Sequence, residues 1–225
     1  MQIKAYEEYS SNPDRAKNVC VGHWQAQERY PYQQYLLEEY GDRPRNSALD
    51  FGCGVGRMIK QMLTVFANVD GADLCENNLK YALDYLGPEY KGKLYKTDGI
   101  SCSISADRQY DFIYSTICLQ HICVHEIRHA ILADFYELLA HGGQCCIQLG
   151  FGWDNEIYWN HNYYEAQGTN SAFDVSIPNT THFVNIENDL KDIGFTNIKF
   201  KIKESPHPEI GKYHTNWLFV YMDKI

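Results

Sequence analysis

The sequence predicts an α/β fold, in which helices cover both faces of a doubly wound, mostly parallel sheet of seven strands. Between residues 46 and 150, short apolar runs alternate with longer amphipathic segments, which is the pattern of parallel strands joined by helices. A turn that contains three glycines directly follows the first apolar run. Near the end of the chain, two apolar runs follow one another without a helix between them, and these predict an antiparallel hairpin at one sheet edge.

Each element is supported by its own stretch of sequence. Seven short segments have the apolar, β-branched and aromatic content of strands: SALDFG (47–52), NVDGADL (68–74), KLYKTDG (93–99), YDFIYSTICL (110–119), QCCIQLGF (144–151), TNIKFKIKE (196–204) and NWLFVYMDK (216–224). Of these, NVDGADL is poor in apolar residues and is assigned from its context. Five segments have the apolar spacing of helices: 23–41, 56–67, 75–87, 124–143 and 182–195. The alternation of these elements predicts a Rossmann-like sheet.

The chain is expected to form one domain that is built from four consecutive parts. Residues 1–45 are predicted to form a helical cap, and residues 46–150 form the core that carries the glycine-rich turn. Residues 151–181 form an insert after the fifth strand, and residues 182–225 supply the last helix and the hairpin. The insert is aromatic and polar without a clear period, and a stretch of this length without its own elements is more often functional than idle.

Composition and charge argue against several classes of protein. The net charge of −9 disfavours nucleic acid as the main partner, because binding to phosphates needs clustered Lys and Arg. No apolar run approaches the roughly 18 residues of a membrane span, and the N-terminus lacks the apolar core of a secretory signal. The eight cysteines are scattered without a CxxC pair, so reduced thiols in a cytoplasmic protein are expected. The composition does not distinguish a monomer from a homodimer.

The glycine-rich turn, LDFGCGVGR, indicates close contact between the backbone and a ligand. Gly52, Gly54 and Gly56 can adopt positive φ, and they leave the N–H groups around Cys53 accessible. In a doubly wound sheet a ligand binds beyond the carboxyl end of the first strand, where this turn is predicted. The GxGxG spacing differs from the GxGxxG of dinucleotide-binding proteins, in which the loop holds a pyrophosphate.

Three aspartates describe the chemistry of this ligand. Asp50 precedes the first glycine by two residues, where a carboxylate would repel pyrophosphate and attract an ammonium group. Asp73 ends the second strand and suits the two hydroxyls of a ribose. Asp98 ends the third strand beside Gly99, and it can accept from an adenine amine while Ile100 packs against the ring. Ammonium, ribose and adenine together describe S-adenosylmethionine, although each acid also fits a simpler role as a capping, strand-end or turn residue.

Over about residues 46–150 the chain resembles the class I S-adenosylmethionine-dependent methyltransferases. LDFGCGVGR is similar to their glycine-rich first motif, and GADLCENNL is similar to their second. KTDGIS and YDFIYSTICLQHI resemble the third and fourth motifs. The resemblance implies that Asp73 binds the ribose, that Leu74 lies beside the adenine and that S-adenosylmethionine is the cofactor. It also implies a sheet whose last strand is reversed.

The end of the fourth strand, which in that family runs into the active site, is expected to carry the chemistry. A hydroxyl or ammonium nucleophile needs a base to remove its proton, and His121 is the candidate. The spacing of His121, His125 and His129 predicts one helical face, and two of them could share a zinc ion. Because no further ligand is specified, no metal is expected. Ser115 stands where metal-dependent relatives place acids and is expected to contact the cofactor, and Gln120 can touch the cofactor or the substrate by its amide.

The methyl acceptor is expected between the N-terminal helices and the insert. Eight aromatic residues could line a lid there, or merely pack these segments onto the sheet: Trp24, Tyr30, Tyr32, Trp153, Tyr158, Trp159, Tyr163 and Tyr164. Of these, Trp24 is also expected to contact the cofactor.

These features favour a methyltransferase that acts on an O or N atom of a small metabolite, such as a sugar or a biosynthetic intermediate. A protein or RNA methyltransferase and a noncatalytic module that keeps the cofactor fold are the alternatives. The presence of Asp50, Asp73 and Asp98 argues against such a module, which would be free to lose them. The GxGxG spacing and Asp50 argue against an NAD-linked reductase.

Overall fold

One sheet organises the part of the chain that the computed structural model describes, residues 2–14, 30–152, 176–177, 179–204 and 216–225. Its strands are, in chain order, β1 Ser47–Phe51, β2 Asn68–Asp73, β3 Leu94–Lys96, β4 Tyr110–Ser115, β5 Leu139–Phe151, β6 Ser176–Ile177, β7 Thr196–Glu204 and β8 Asn216–Asp223. Seven of them follow the spatial order β3-β2-β1-β4-β5-β8-β7. The short β6, which the sequence did not predict, pairs with the last residues of β5, beyond the point where β4 has ended.

The predicted doubly wound sheet is confirmed, including its reversed last strand. β1 pairs in parallel with β2 and β4, β2 with β3, and β4 with β5. β8 runs antiparallel to both β5 and β7, so β7 forms the sheet edge and β8 lies inside it. As a result, the carboxyl ends of β1, β2, β3 and β4 meet at one edge of the sheet.

Helices of the described residues pack on both faces of this sheet. They are α1 Gln2–Ser10, α2 Tyr32–Leu36, α3 Arg57–Met62, α4 Glu76–Leu86, α5 His125–Leu138 and α6 Phe183–Ile193. Since successive strand residues point to opposite faces, the core consists of two clusters, one that contains Leu49 and Ile131 and another that contains Ala48 and Ile59. None of the described helices has the length and apolar character that crossing a membrane requires.

The first predicted helix, residues 23–41, is wrong in its extent within the described residues. Helix α2 covers only Tyr32–Leu36, and Pro31 directly precedes it. A proline disfavours helical backbone in the residue before it, so the helix begins only after Pro31. Residues 23–29 lie outside the described residues. Tyr32 and Leu36 are fully buried, in agreement with the apolar spacing of this segment.

Helix α5 also ends earlier than predicted, at Leu138 instead of residue 143. Leu139 is already extended, with φ of −74° and ψ of 134°, and it begins the pairing of β5 with β4. Gly142, with φ of +80°, donates its N–H to the carbonyl of Lys224 at 2.8 Å. The backbone of this segment is therefore used by the sheet, and the glycines allow an irregular start of β5 instead of ending a helix.

Candidate cofactor site at the carboxyl edge of the sheet

The glycine-rich loop lies directly beyond the carboxyl end of β1. Gly52, Gly54 and Gly56 have φ of +77°, +53° and +83°, a region that glycine enters without steric cost. A Cβ atom at Gly52 would lie 2.3 Å from Sγ of Cys118, so no larger residue fits at this position. The N–H groups of Gly52 and Cys53 both donate to one carbonyl at the end of β2, at 2.7 and 3.0 Å. The loop is thereby fixed between β2 and the segment that follows β4.

Asp50 lies under this loop with 2% of its surface exposed. Its Oδ2 atom and the buried hydroxyl of Tyr114, its register partner on β4, have no hydrogen bond of good geometry in the described part of the chain, although the Tyr114 hydroxyl lies close enough to lower the pKa of the Asp50 carboxyl group. Burial raises the pKa of the Asp50 carboxyl group to about 8, against the opposing effect of the Arg57 guanidinium. A buried carboxylate oxygen without a donor is costly, and it is expected where a ligand supplies the missing donor.

Asp73 ends β2 beside the loop and is 9% exposed. Its Oδ2 accepts from the N–H of Gly54 at 2.9 Å, and its Oδ1 accepts from the N–H of Cys75 at 2.8 Å and from the Asn78 amide at 3.1 Å. Burial raises the pKa of Asp73, while these donors lower it. Asp73 therefore holds the glycine loop in place, a role that sequence reasoning missed. A carboxylate has about four acceptor positions, so a position remains for a ribose hydroxyl. Leu74, half-buried, follows it.

Asp98 lies beyond the end of β3 on an exposed turn. Its carboxylate accepts from the N–H groups of Ile100 and Ser101 at 2.9 and 2.7 Å, and from the Ser101 hydroxyl at 3.0 Å. The bond from Ile100 and those from Ser101 lower the pKa of Asp98. Gly99 has φ of +84°, and the Ile100 side chain is 56% exposed. The turn, which is the simpler role that the sequence allows for Asp98 and Gly99, is thus present. Their contact with adenine stays a prediction.

Ser115 and Gln120, two further predicted cofactor residues, lie at and after the end of β4 with buried side chains. The hydroxyl of Ser115 donates to the carbonyl of Phe51 at 2.9 Å, and the side chain has no exposed surface. It therefore joins β4 to β1. Gln120 is 2% exposed, and its Oε1 accepts from the amide of Gln148 at 3.3 Å. Both side chains support the edge from within the protein, and a direct role of either at the cofactor stays a prediction.

The three histidines do not share a helical face, so this prediction is wrong. His121 lies on a short 3-10 turn, and Ile122 after it is extended, with φ of −92° and ψ of 94°. The helical repeat is therefore interrupted before α5 begins at His125. Nε2 of His125 pairs with Oδ2 of Asp189 on α6 at 2.7 Å. The centroid of the His121 ring, in contrast, lies 6.2 Å from the centroid of the Tyr6 ring on α1. Within the described ranges, no three potential metal ligands are grouped together.

Helix α1 reaches the same edge of the sheet. Besides the contact of Tyr6 with His121, Ser10 at the end of α1 is buried, and α1 packs against α4. Sequence reasoning missed Tyr6, because an aromatic residue in an N-terminal helix carries no specific signal, and it did not anticipate that Cys118 packs against Gly52.

Tyr30 and Tyr32 do not line a lid but pack onto the sheet, since Tyr32 is fully buried in the core and the Tyr30 hydroxyl donates to the carbonyl of Glu204 at 2.9 Å. Trp24 and the aromatic residues of the insert, 153–164, lie outside the described residues, so their part in a lid stays a prediction.

Residues 48–143 match a family of proteins described as a methyltransferase domain. The matched stretch runs from β1 into β5 and contains the glycine loop, Asp50, Asp73 and His121. Motif order, sheet topology and this match agree with one another. The resemblance predicted from the motifs is therefore borne out over residues 48–143, which are similar to a methyltransferase domain.

Three known proteins illustrate the similarity. Phosphoethanolamine N-methyltransferase 2 from Caenorhabditis elegans is 28% identical over 160 residues, which cover 68% of this chain and 36% of that protein. The structure of phosphoethanolamine N-methyltransferase 2 from Haemonchus contortus, in complex with phosphomonomethylethanolamine and S-adenosylhomocysteine, has a TM-score of 0.65 and 18% identity, and the match covers 97% of this chain and 60% of that one. The N-methyltransferase NodS from Bradyrhizobium japonicum WM9, in complex with S-adenosylhomocysteine, has a TM-score of 0.68 at 12% identity, with 99% and 98% covered. The matched part of this chain thus spans about a third of the length of its curated relative.

Proposed function

We propose that this protein binds S-adenosylmethionine and transfers its methyl group to an O or N atom of a small metabolite. The observation that carries the proposal is the buried Oδ2 of Asp50 beneath the glycine loop, which has no hydrogen bond of good geometry in the described part of the chain. An ammonium group supplies both the donor and the opposite charge, whereas a pyrophosphate would be repelled by this carboxylate.

The residues at the carboxyl edge fit each part of this cofactor. Asp50 would hold the ammonium group, and the N–H groups of the glycine loop would surround the amino-acid portion. Asp73 would accept from the ribose hydroxyls, and Leu74 would lie beside the adenine. Asp98 would accept from the adenine amine, while Ile100 would cover the ring. When it is bound, the cofactor supplies a methyl group that is activated by a positively charged sulfur.

Methyl transfer is an in-line displacement at carbon, so the chain itself has to align the acceptor with the methyl group. It also has to remove the proton of a hydroxyl or ammonium acceptor. We propose His121 as the base. It is half-buried at the edge where the loop and the end of β4 meet, within the family's fourth motif. Tyr6 of α1 packs against this ring and would restrict its orientation.

A phosphorylated amino alcohol is the first acceptor to test. Phosphoethanolamine N-methyltransferases from two nematodes are similar to this chain, which favours nitrogen as the accepting atom. A sugar or another biosynthetic intermediate is the alternative within the small-metabolite class. The segments proposed to enclose the acceptor, around Trp24 and in the insert 151–181, lie largely outside the described residues.

Thermal-shift titration with S-adenosylmethionine, S-adenosylhomocysteine and NADH tests the cofactor. We expect both sulfur nucleosides to raise the Tm, because a ligand that binds only the folded state stabilises it, and NADH to leave it unchanged. A shift with NADH and none with the sulfur nucleosides would indicate a reductase instead. No shift with any of the three would favour the noncatalytic module.

Transfer of labelled methyl groups to a panel of acceptors tests the substrate class. The panel contains phosphoethanolamine, ethanolamine, a free hexose, a mixed peptide library and total RNA. Label in phosphoethanolamine would support the proposal in its narrow form, and label in the hexose would support its broader form. Label confined to peptides or RNA would contradict both.

A cytoplasmic location is part of the proposal. The seven cysteines within the described residues are free, which supports the reduced, cytoplasmic environment expected from the sequence. A monomer or a homodimer is proposed, and sedimentation analysis of the purified chain distinguishes the two.

A further inference from the structure

Ile117, the second residue after β4, has a backbone conformation that is unusual for its type. Its φ is +50°, in the left-handed region that β-branched residues rarely adopt. Such a conformation persists only where the surrounding structure holds it in place. Here it directs the following residue, Cys118, onto Gly52 of the glycine loop, and it leads into the 3-10 turn that carries His121.

The amide of Gln148 on β5 holds this turn. Gln148 is fully buried, and its Oε1 accepts from the N–H of Ile117 at 2.7 Å. Its Nε2 donates to the side-chain oxygen of Gln120 at 3.3 Å. One side chain therefore uses both ends of its amide on the same short segment, one on each side of Cys118.

We propose that Gln148 is a positioning residue for the glycine loop and for His121, an inference that rests on the proposed function. Gln148 acts through Ile117: the hydrogen bond stabilises the left-handed turn, and the turn places Cys118 against the loop and His121 at the sheet edge. Arg128 of α5, which is 1% exposed, anchors the far end of the segment, because its guanidinium donates to the carbonyl of Ile122 at 2.5 Å.

Loss of the Gln148 amide is expected to change two observables together. In Gln148→Leu the N–H of Ile117 loses its acceptor, and the left-handed turn loses its support. We expect the affinity for S-adenosylhomocysteine, measured by calorimetry, to fall about tenfold, the effect of one hydrogen bond to a buried group. The His121 ring resonances of the ligand-free protein, assigned with His121→Gln, should move because the ring changes its position relative to Tyr6.

Gln144→Leu is a matched control on the same strand. Gln144 is also a buried amide, and it donates to the carbonyl of Glu39 at 3.1 Å and to Asp223 at 2.9 Å, at the other end of β5. Its loss should lower the Tm while the affinity for S-adenosylhomocysteine and the His121 resonances stay unchanged. The control therefore separates positioning from a general loss of stability.

A second substitution at Ile117 tests the route by which Gln148 acts. Glycine adopts positive φ without steric penalty, so a glycine at this position needs less support from the amide. Ile117→Gly combined with Gln148→Leu should bind S-adenosylhomocysteine to within about threefold of Ile117→Gly alone, whereas independent effects would add. Gln148→Asn, which keeps a shorter amide in the strand, serves as the second variant and should show the same changes to a smaller extent.

Unchanged affinity together with unchanged His121 resonances in both Gln148 variants would overturn the proposal. The same losses in Gln144→Leu, or additive losses in the double variant, would also overturn it. The His121 resonances are measured without ligand. A wild-type chain that failed to bind S-adenosylhomocysteine would therefore contradict the proposed function, while the resonances alone would still decide the role of Gln148.

Discussion

Two buried aspartates on neighbouring strands, Asp70 of β2 and Asp50 of β1, have opposite surroundings. Asp70 is fully buried and accepts hydrogen bonds from the guanidinium of Arg108 at 2.6 Å, from the hydroxyl of Tyr110 at 2.9 Å and from the N–H of Lys93 at 2.8 Å. Asp50 is almost as deeply buried, but one of its oxygens has no hydrogen bond of good geometry among the described residues. The first carboxylate stabilises the sheet, and the second has the surroundings expected of a group that binds a ligand.

Neither burial nor residue type separates these two acids. Each lies within a short predicted strand, Asp50 in SALDFG and Asp70, together with Asp73, in NVDGADL. They differ in what distant parts of the chain supply, since Arg108 and Tyr110 reach Asp70 from 38 and 40 residues away. The state of a buried group's hydrogen bonds is therefore the better guide to function in this protein.

The largest effect is expected for Asp70→Ala, which removes the structural member of the pair. Five donor groups on Asn68, Lys93, Arg108 and Tyr110 lose their acceptor, so we expect the free energy of unfolding to fall by about 3 kcal/mol. This value is at the low end for a buried ion pair because the Arg108 side chain is 35% exposed and can be partly hydrated. Urea unfolding measures the change, and Asp70→Asn, which keeps an acceptor, should lose less. An unchanged unfolding midpoint would show that the network does not stabilise the sheet.

Asp50→Asn removes the other member and should affect binding instead of folding. A charge-assisted hydrogen bond to the ammonium group is lost, so we expect S-adenosylhomocysteine to bind about 2–3 kcal/mol more weakly. Calorimetry measures the affinity, and urea unfolding of the ligand-free variant serves as the control, since its stability should not decrease. Wild-type affinity in this variant would remove Asp50 from the cofactor site.

Asp73→Ala tests an acid that combines a structural and a binding role, because Asp73 holds the glycine loop and is also proposed to bind the ribose. We expect the affinity for S-adenosylhomocysteine to fall by about 1–3 kcal/mol, the range for unpaired hydroxyls in a binding site. Asn78→Ala removes only one donor to the same carboxylate and should have a smaller effect. If Asp73→Ala bound the nucleoside normally, the ribose would have to lie elsewhere.

The smallest effect concerns pH, and its sign follows from the raised pKa of Asp50. The folded state, with a pKa of about 8, binds more protons than the unfolded chain, whose Asp pKa is about 3.9. The ligand-free protein should therefore lose stability as the pH rises through this window, by about 1 kcal/mol between pH 7 and pH 8 from Asp50 alone. Urea unfolding at the two pH values measures it. The same loss in Asp50→Asn would assign it to another group.

The sheet could largely be predicted from the sequence, because its strands have local signals. Thr196–Glu204 is confirmed at both ends, since lysines alternate there with apolar residues in the period of a half-exposed strand. The glycine loop was predictable for a similar reason, because its spacing and the acid in front of it are contiguous. Contiguous patterns of this kind are what a single sequence records.

The residues that hold the site in place could not be predicted, because their role depends on contacts between distant parts of the chain. Nothing in the run QCCIQLGF distinguishes Gln148, which meets Ile117 from 31 residues away. The positive φ of Ile117 is equally invisible, since isoleucine is not a residue that favours it. The prediction that His121 continues the helix of His125 failed for the same reason: a four-residue spacing continues through the extended segment between them.

Cys53 lies within the glycine loop, where an electrophilic methyl donor is proposed to bind, and Cys118 packs against this loop. Burial raises the pKa of Cys118 to about 12 and that of Cys53 well above its usual value, and the charge of Asp73 adds to both shifts. Only the thiolate is a strong nucleophile, and almost none forms at neutral pH. The protein is thereby protected from alkylation by its own donor, so its intact mass should gain no methyl group during long incubation with S-adenosylmethionine. Methylation of either sulfur would show that burial does not keep these thiols protonated.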